Sequence, residues 1–134
     1  MATHAVTSQD FNQVVESNDL VFVDFWATWC GPCRAFGPTF EKASEANPDV
    51  YFAKVDIDQN PDLAAAAKVQ AVPTLMVGKK QQIIFQQAGA LRASDLDDLI
   101  SQAKALDMDA AASDGNTASS GDAKVKTPSS QSER

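Results

Sequence analysis

The stretch from Leu20 to Ala27 sets the strongest limit on what this chain can fold into. It reads Leu-Val-Phe-Val-Asp-Phe-Trp-Ala and is apolar almost throughout. A strand with one wet face alternates apolar and polar residues, whereas an unbroken apolar run suits a central strand covered on both faces. Asp24 interrupts the run. A lone carboxylate in such a strand is costly unless it is neutral or paired. Burial raises its pKa toward the range useful for proton transfer at neutral pH.

The elements around this strand follow from periodicity and punctuation. Thr7 or Ser8 is placed to cap a first helix whose apolar face holds Phe11, Val14 and Val15. Gly31-Pro32 opens a second helix, Gly37-Pro38 should kink it, and Asn47-Pro48 ends it. Val50 to Asp56 reads as a second core strand, and Asn60-Pro61 as the cap of a short Ala-rich helix running to Val69. Thr74–Val77 and Ile83–Gln87 read as two strands joined by residues 78–82, and Ser94 with Asp97 resembles a capping box for a last helix. A further short strand is expected near Ala5-Val6. Helices alternate with strands and the last two strands form a hairpin. The expected class is therefore α/β, with a central mixed β-sheet flanked by helices on both faces.

The folded domain is expected to span residues 1–107. Residues 108–134 are rich in Ser, Ala and Asp and hold only Met108 and Val125 as larger apolar residues. Such a segment cannot bury enough surface to offset its ordering entropy, so it reads as a disordered tail. The net charge is −7 and there is no basic cluster, which argues against nucleic acid or an anionic membrane as partner. No run approaches the ~20 apolar residues of a membrane span. The N-terminal residues Met1 to Val6 have neither a basic start nor an apolar signal core, so the expected compartment is the cytoplasm.

The chain holds two cysteines, Cys30 and Cys33, in the stretch Trp29-Cys30-Gly31-Pro32-Cys33. Residues at i and i+3 lie on one helix face, so their sulfurs can meet. A bond between them closes a very small loop, which the chain-entropy model values at roughly 2 kcal/mol. That is a weak staple, and the pair reads better as a bond made and broken in use. Stable disulfides are rare in the cytosol, where those present are usually catalytic or redox-sensing. The alternatives at this point are half of a zinc site or an inert buried pair. Zinc needs four ligands in a structural site, and the one histidine, His4, lies near a terminus expected to be loose.

The chain resembles the thioredoxin family over roughly residues 5–105. The resemblance rests on Val23-Asp24-Phe25-Trp26-Ala27, Trp29 to Cys33, Pro38, Lys54 to Pro61, Val72-Pro73-Thr74-Leu75 and Gly89-Ala90. It implies a thioredoxin fold and a dithiol–disulfide oxidoreductase that reduces disulfides of substrate proteins. It also implies no bound cofactor, electrons arriving from NADPH through a thioredoxin reductase, and a monomer with no nucleic-acid or membrane partner. The chain departs from the family in two places. Arg34 and Gly37 stand where Lys and Ala are common, and Lys79-Lys80-Gln81 lacks the usual turn glycine, which leaves Gly78 to take the special φ.

The helix start favours a negative charge on Cys30, so Cys30 is the expected nucleophile and Cys33, deeper and less acidic, the resolving thiol. The resemblance implies that Asp24 helps to deprotonate Cys33, with Lys54 on the neighbouring strand as its partner. It implies a cis peptide bond at Pro73, facing the cysteines, and a Val72 backbone free to pair with an extended substrate. Trp29, Pro73 and Gly89 would then form a shallow groove, with Gly31 and Pro32 on its surface. Trp29 and Trp26 can also be read as packing aromatics, Asp24 as a structural carboxylate held by hydrogen bonds, and Lys54 as a solvated lysine at a strand edge. Two other functions compete: a more oxidising relative or isomerase, against which Gly31-Pro32 speaks, and a binding module in which redox chemistry is incidental.

Overall fold

The structure, a computed structural model, describes residues 2–107. The expected tail, residues 108–134, lies outside the described residues. By compactness the chain divides into residues 1–104 and 105–134, and the fold described is that of the first unit. Its strands are β1 (Thr3–Ala5), β2 (Leu20–Trp26), β3 (Tyr51–Asp56), β4 (Thr74–Lys79) and β5 (Gln82–Ala88). Its helices are α1 (Phe11–Ser17), α2 (Gly31–Ala46), α3 (Pro61–Ala66) and α4 (Ala93–Ala105).

The five strands form one sheet in the order β1-β3-β2-β4-β5. β3 is parallel to both β1 and β2, while β4 is antiparallel to β2 and β5 antiparallel to β4. The apolar run thus occupies the middle strand of a mixed sheet. Side chains alternate across a strand, so β2 feeds two cores. Leu20 and Phe22 join Phe36 and Phe40 of α2 and Leu96 and Ile100 of α4. Val21, Val23 and Phe25 join Val55 and Met76, with Phe11 and Val14 of α1 packed against them. By the same alternation Asp24 faces the α2 side.

Several boundaries differ from the sequence expectation. α1 starts at Phe11 behind Asp10; the Thr7 hydroxyl bonds Asp10 Oδ2 at 3.0 Å instead of capping the helix. Asn60 does not cap α3 with its side chain. Its Oδ1 accepts from the Ser8 backbone N–H at 2.9 Å, tying the α1 entry to the α3 entry. α3 stops at Ala66, short of Val69. The N–H of Lys68 bonds Ala65 C=O and that of Val69 bonds Ala64 C=O, a Schellman closure with Lys68 at φ 60° where glycine is favoured. α4 begins at Ala93, which places Ser94 inside the first turn and not at the expected cap.

At the hairpin, Lys80 and Gln81 take φ 49° and 66°, the pattern of a two-residue I′ turn, and Gly78 stays within β4. The register shifts between Val77 and Gly78, so Ile84 is an extra residue on β5. His4, expected in a loose terminus, pairs with Ala53 in β1 and stacks on Tyr51 at 4.6 Å.

Candidate active site

β2 delivers the chain to the cysteines. After Trp26 it turns once, with Cys30 N–H bonded to Ala27 C=O, and enters α2. Cys30 is the N-cap of α2 with extended backbone, and Pro32 sits in the first turn, where its missing N–H is not needed. Cys30 and Cys33 are joined as a disulfide, with Cα atoms 5.3 Å apart. The Cys33 N–H donates to Cys30 Sγ at 3.1 Å. The capping role usually filled by a side-chain oxygen is thus taken by sulfur, at the end of the helix that favours negative charge. Burial does not separate the two residues as expected, since Cys30 is 4% and Cys33 5% exposed. They differ in their place on the helix, one before its first turn and one within it.

Asp24 lies on β2, between Lys54 of β3 and Leu75 of β4. It is 1% exposed, and neither carboxylate oxygen has a hydrogen-bond partner. Burial pushes its pKa up to about 7, against a weaker downward pull from the Lys54 charge. Lys54 is its register partner on β3. No salt bridge joins them, however. The Lys54 ammonium lies 5.2 Å over the Trp26 ring, so the expected pairing is through space and not by contact.

The rim is assembled from three elements. The Val72–Pro73 peptide is cis, and the Val72 carbonyl oxygen lies 3.5 Å from Cys30 Sγ. Gly89, at φ +105°, donates its N–H to Pro73 C=O at 2.8 Å, which fixes the start of β4 to the end of β5. That φ is one that only glycine adopts without strain. Gly31 and Pro32 are exposed, and a Cβ on Gly31 would meet nothing within 4 Å. Trp29 is 64% exposed, yet its indole N–H donates to Asp58 Oδ2 at 2.9 Å. The structure therefore gathers Cys30, Cys33, Trp29, Gly31, Pro32, Val72, Pro73 and Gly89 at one end of the sheet, with Asp24 and Lys54 paired on the adjoining strands β2 and β3.

Sequence reasoning missed two members of this neighbourhood. Asp58 was only part of a run shared with the family, and its signal was weak: an acid three residues before Pro61. Arg34 was noted as a departure from the common lysine, but its bond to Thr28 C=O at 2.7 Å was not foreseen. Among the described residues there is no group of three or more His, Cys, Asp or Glu side chains that could hold a metal.

A cysteine pair at a helix N-terminus, able to exchange its bond with an outside disulfide, defines a dithiol–disulfide oxidoreductase. The thioredoxin family model matches residues 2–102, and the chain belongs to that family. It is 50% identical over 108 residues to "Putative thioredoxin 2" of Streptomyces coelicolor, covering 81% of each chain. Among solved structures it is similar to a mutant thioredoxin from Halobacterium salinarum NRC-1, with TM-score 0.74 and 34% identity over 78% of this chain and 93% of that one. A second neighbour comes from a structure titled for the thiol resolving mechanism in yeast mitochondrial 1-Cys peroxiredoxin via glutathione/thioredoxin systems. It has TM-score 0.70 and 36% identity over 75% of this chain and 95% of that one. The activity of this chain is dithiol–disulfide exchange at Cys30 and Cys33.

Proposed function

We propose that this chain is a general reductant of protein disulfides, recharged from NADPH by a thioredoxin reductase. The observation that carries this reading is the N-cap position of Cys30, whose sulfur receives the Cys33 N–H. A thiolate there is stabilised by that bond and by the helix dipole. In the reduced protein the Cys30 thiolate attacks one sulfur of a substrate disulfide. A mixed disulfide forms and one substrate thiolate leaves. Cys33 gives up its proton and attacks Cys30 Sγ, the second substrate thiolate leaves, and the Cys30–Cys33 disulfide remains. Two electrons have passed to the substrate.

Asp24 is the group we assign to accept the Cys33 proton. A carboxyl titrating near 7 is matched to proton transfer at neutral pH. Lys54 biases that titration by its charge. Trp29, Gly31, Pro32, Val72, Pro73 and Gly89 form the surface against which an extended substrate segment lies. Its backbone can pair with that of Val72, as in strand addition. The partners are then the reductase and disulfide-bearing proteins. The domain works as a monomer in the cytoplasm, a compartment in keeping with a pair that must be kept reduced. No described helix is long and apolar enough to cross a membrane.

The test combines the protein with NADPH, a thioredoxin reductase and insulin, and follows NADPH loss. Turnover that depends on this protein and vanishes in Cys30→Ser is expected. No turnover with the intact protein overturns the reading. Cys33→Ser removes the resolving thiol and should accumulate mixed disulfides through Cys30, read by mass spectrometry of non-reduced adducts. Equal trapping by Cys30→Ser would reverse the roles of the two cysteines.

A further inference from the structure

Arg34 sits in the first turn of α2, with no acidic residue in that turn to pair with. A cation at this end opposes the helix dipole, so helix stability does not explain it. Its side chain is exposed but engaged: Nη2 donates to the Thr28 carbonyl oxygen at 2.7 Å, a short charge-assisted bond. Thr28 immediately precedes Trp29 in the loop between β2 and α2. The Trp29 indole is held from the other side by Asp58. Asp58 is itself fixed, because its N–H donates to Asp56 Oδ1 at 2.9 Å at the end of β3. The exposed indole is thus held by Asp58, and the backbone carbonyl just before Trp29 by Arg34.

The two other bonds between the loop and α2 behave differently. One is the Cys33 N–H to Cys30 Sγ bond, which involves the reacting sulfur itself. The other is the backbone bond from Arg34 N–H to Cys30 C=O, which is long at 3.4 Å. The guanidinium bond to Thr28 involves no atom that changes bonding during exchange. Arg also offers a rigid planar fork where the common family lysine offers a mobile ammonium.

We propose that Arg34 is a positioning residue for substrate recognition: its guanidinium, bonded to Thr28 C=O, holds Trp29 in place as a preformed wall of the substrate groove. This rests on the reading of Trp29 as a substrate-facing residue. Preformed contact surfaces lower the ordering cost of binding. The effect belongs to extended polypeptide disulfides that lie along the groove. A small disulfide that touches only the sulfurs does not need the wall.

The test uses the full chain and the variants Arg34→Met and Arg34→Lys, each with insulin and with the small disulfide 5,5′-dithiobis(2-nitrobenzoate). With saturating reductase, Arg34→Met should raise the KM for insulin roughly three- to tenfold, the range one hydrogen bond covers. Its kcat, its rate with the small disulfide and the pH profile of Cys30 alkylation by iodoacetamide should stay unchanged within a factor of about two. Arg34→Met should add nothing in a Trp29→Ala background, since Arg34 acts through Trp29. An unchanged KM, or an additive effect in that background, overturns the proposal. So does an alkylation profile that shifts in Arg34→Met and is fully restored by Arg34→Lys, because the charge would then act on the thiolate directly. If the intact protein reduces neither disulfide, the reductase reading itself fails and takes this inference with it.

Discussion

Asp24 and Lys79 sit at opposite ends of the same antiparallel strand pair: Asp24 opposes Leu75, and Lys79 opposes Leu20. Both are buried, at 1% and 6% exposure, and the protein treats them in opposite ways. The Lys79 ammonium donates to the carbonyls of Ala103 and Lys104 at 2.6 and 3.1 Å. Those carbonyls are the unpaired, partly negative end of α4, so the cation is both bonded and electrostatically matched. The Asp24 carboxyl receives no hydrogen bond from any other protein group. A buried charge with satisfied bonds is part of the scaffold. A buried carboxyl left without them can change charge without breaking a hydrogen bond, and this one lies on the strand that leads to the cysteines.

The sharpest way to break this contrast is Asp24→Asn. If Asp24 accepts the Cys33 proton, its loss should slow reduction of protein disulfides by roughly a hundredfold at neutral pH, the lower end of what general acid–base groups contribute. Stability should move the other way. In the unfolded chain the carboxyl titrates near 3.8 and in the folded one near 7. Between those values the folded state holds a proton that the unfolded state has lost, so stability falls as pH rises from about 4 to about 7 and then levels. The full penalty is on the order of 4 kcal/mol, of which a buried amide recovers about 2, since it too lacks partners. Denaturant melts from pH 4 to 8 should show a slope in the native protein that flattens in Asp24→Asn. An equal rate with lowered stability would make Asp24 a scaffold charge like Lys79.

Lys79→Met probes the other side. Removing bonds from a charged donor to helix-end carbonyls should destabilise by about 2–3 kcal/mol. Insulin reduction by the folded protein should stay within about twofold of native, because the ammonium bonds to the carbonyls of Ala103 and Lys104 lie away from the cysteines. Chemical denaturation and the NADPH-coupled assay read the two quantities separately. A loss of rate beyond the loss of folded protein would connect the two ends of the sheet and erase the contrast.

What the sequence disclosed follows the same division. The β2 run and the residues that pack on it were legible because burial on both faces leaves a continuous apolar signature. The cysteine pair was legible from its spacing, and Asp24 and Lys54 from the two core strands that carry them, but their register opposite one another was not. The carboxylate without a bond was half legible: its burial followed from its neighbours, but whether Lys54 would reach it did not. Lys54 instead lies over Trp26, a choice set by three-dimensional packing. Lys79 was not legible, since a lysine at a hairpin reads as solvated. Its burial depends on α4 returning across the sheet, a contact distant in sequence. Asn60 misled for a related reason, because its side chain bonds the Ser8 backbone from a neighbouring element instead of capping α3.

The smallest expected effects come from two residues in left-handed backbone, one near each end of the molecule. Gln81 has φ 66° at the hairpin tip beyond Lys79, and Lys68 has φ 60° at the close of α3, four residues before Val72. A side chain in this region costs about 1–2 kcal/mol, which glycine avoids. Glycine gives back part of that gain through its larger freedom in the unfolded chain. Gln81→Gly and Lys68→Gly should therefore each stabilise by about 0.5–1 kcal/mol. The backbone bonds at both positions remain, because the N–H of Lys68 still reaches Ala65 C=O and the hairpin register is unaltered. The two variants separate in function if strain serves the site. Gln81→Gly should leave insulin reduction unchanged. Lys68→Gly should do the same if its strain only closes the helix, since the Schellman bonds already fix that turn. A Lys68→Gly protein that is more stable yet slower, beside a Gln81→Gly protein that is more stable and equally fast, would mean that residues 68–72 need the strained turn to present Val72. Strain near the cysteines would then be functional and strain at the far tip incidental.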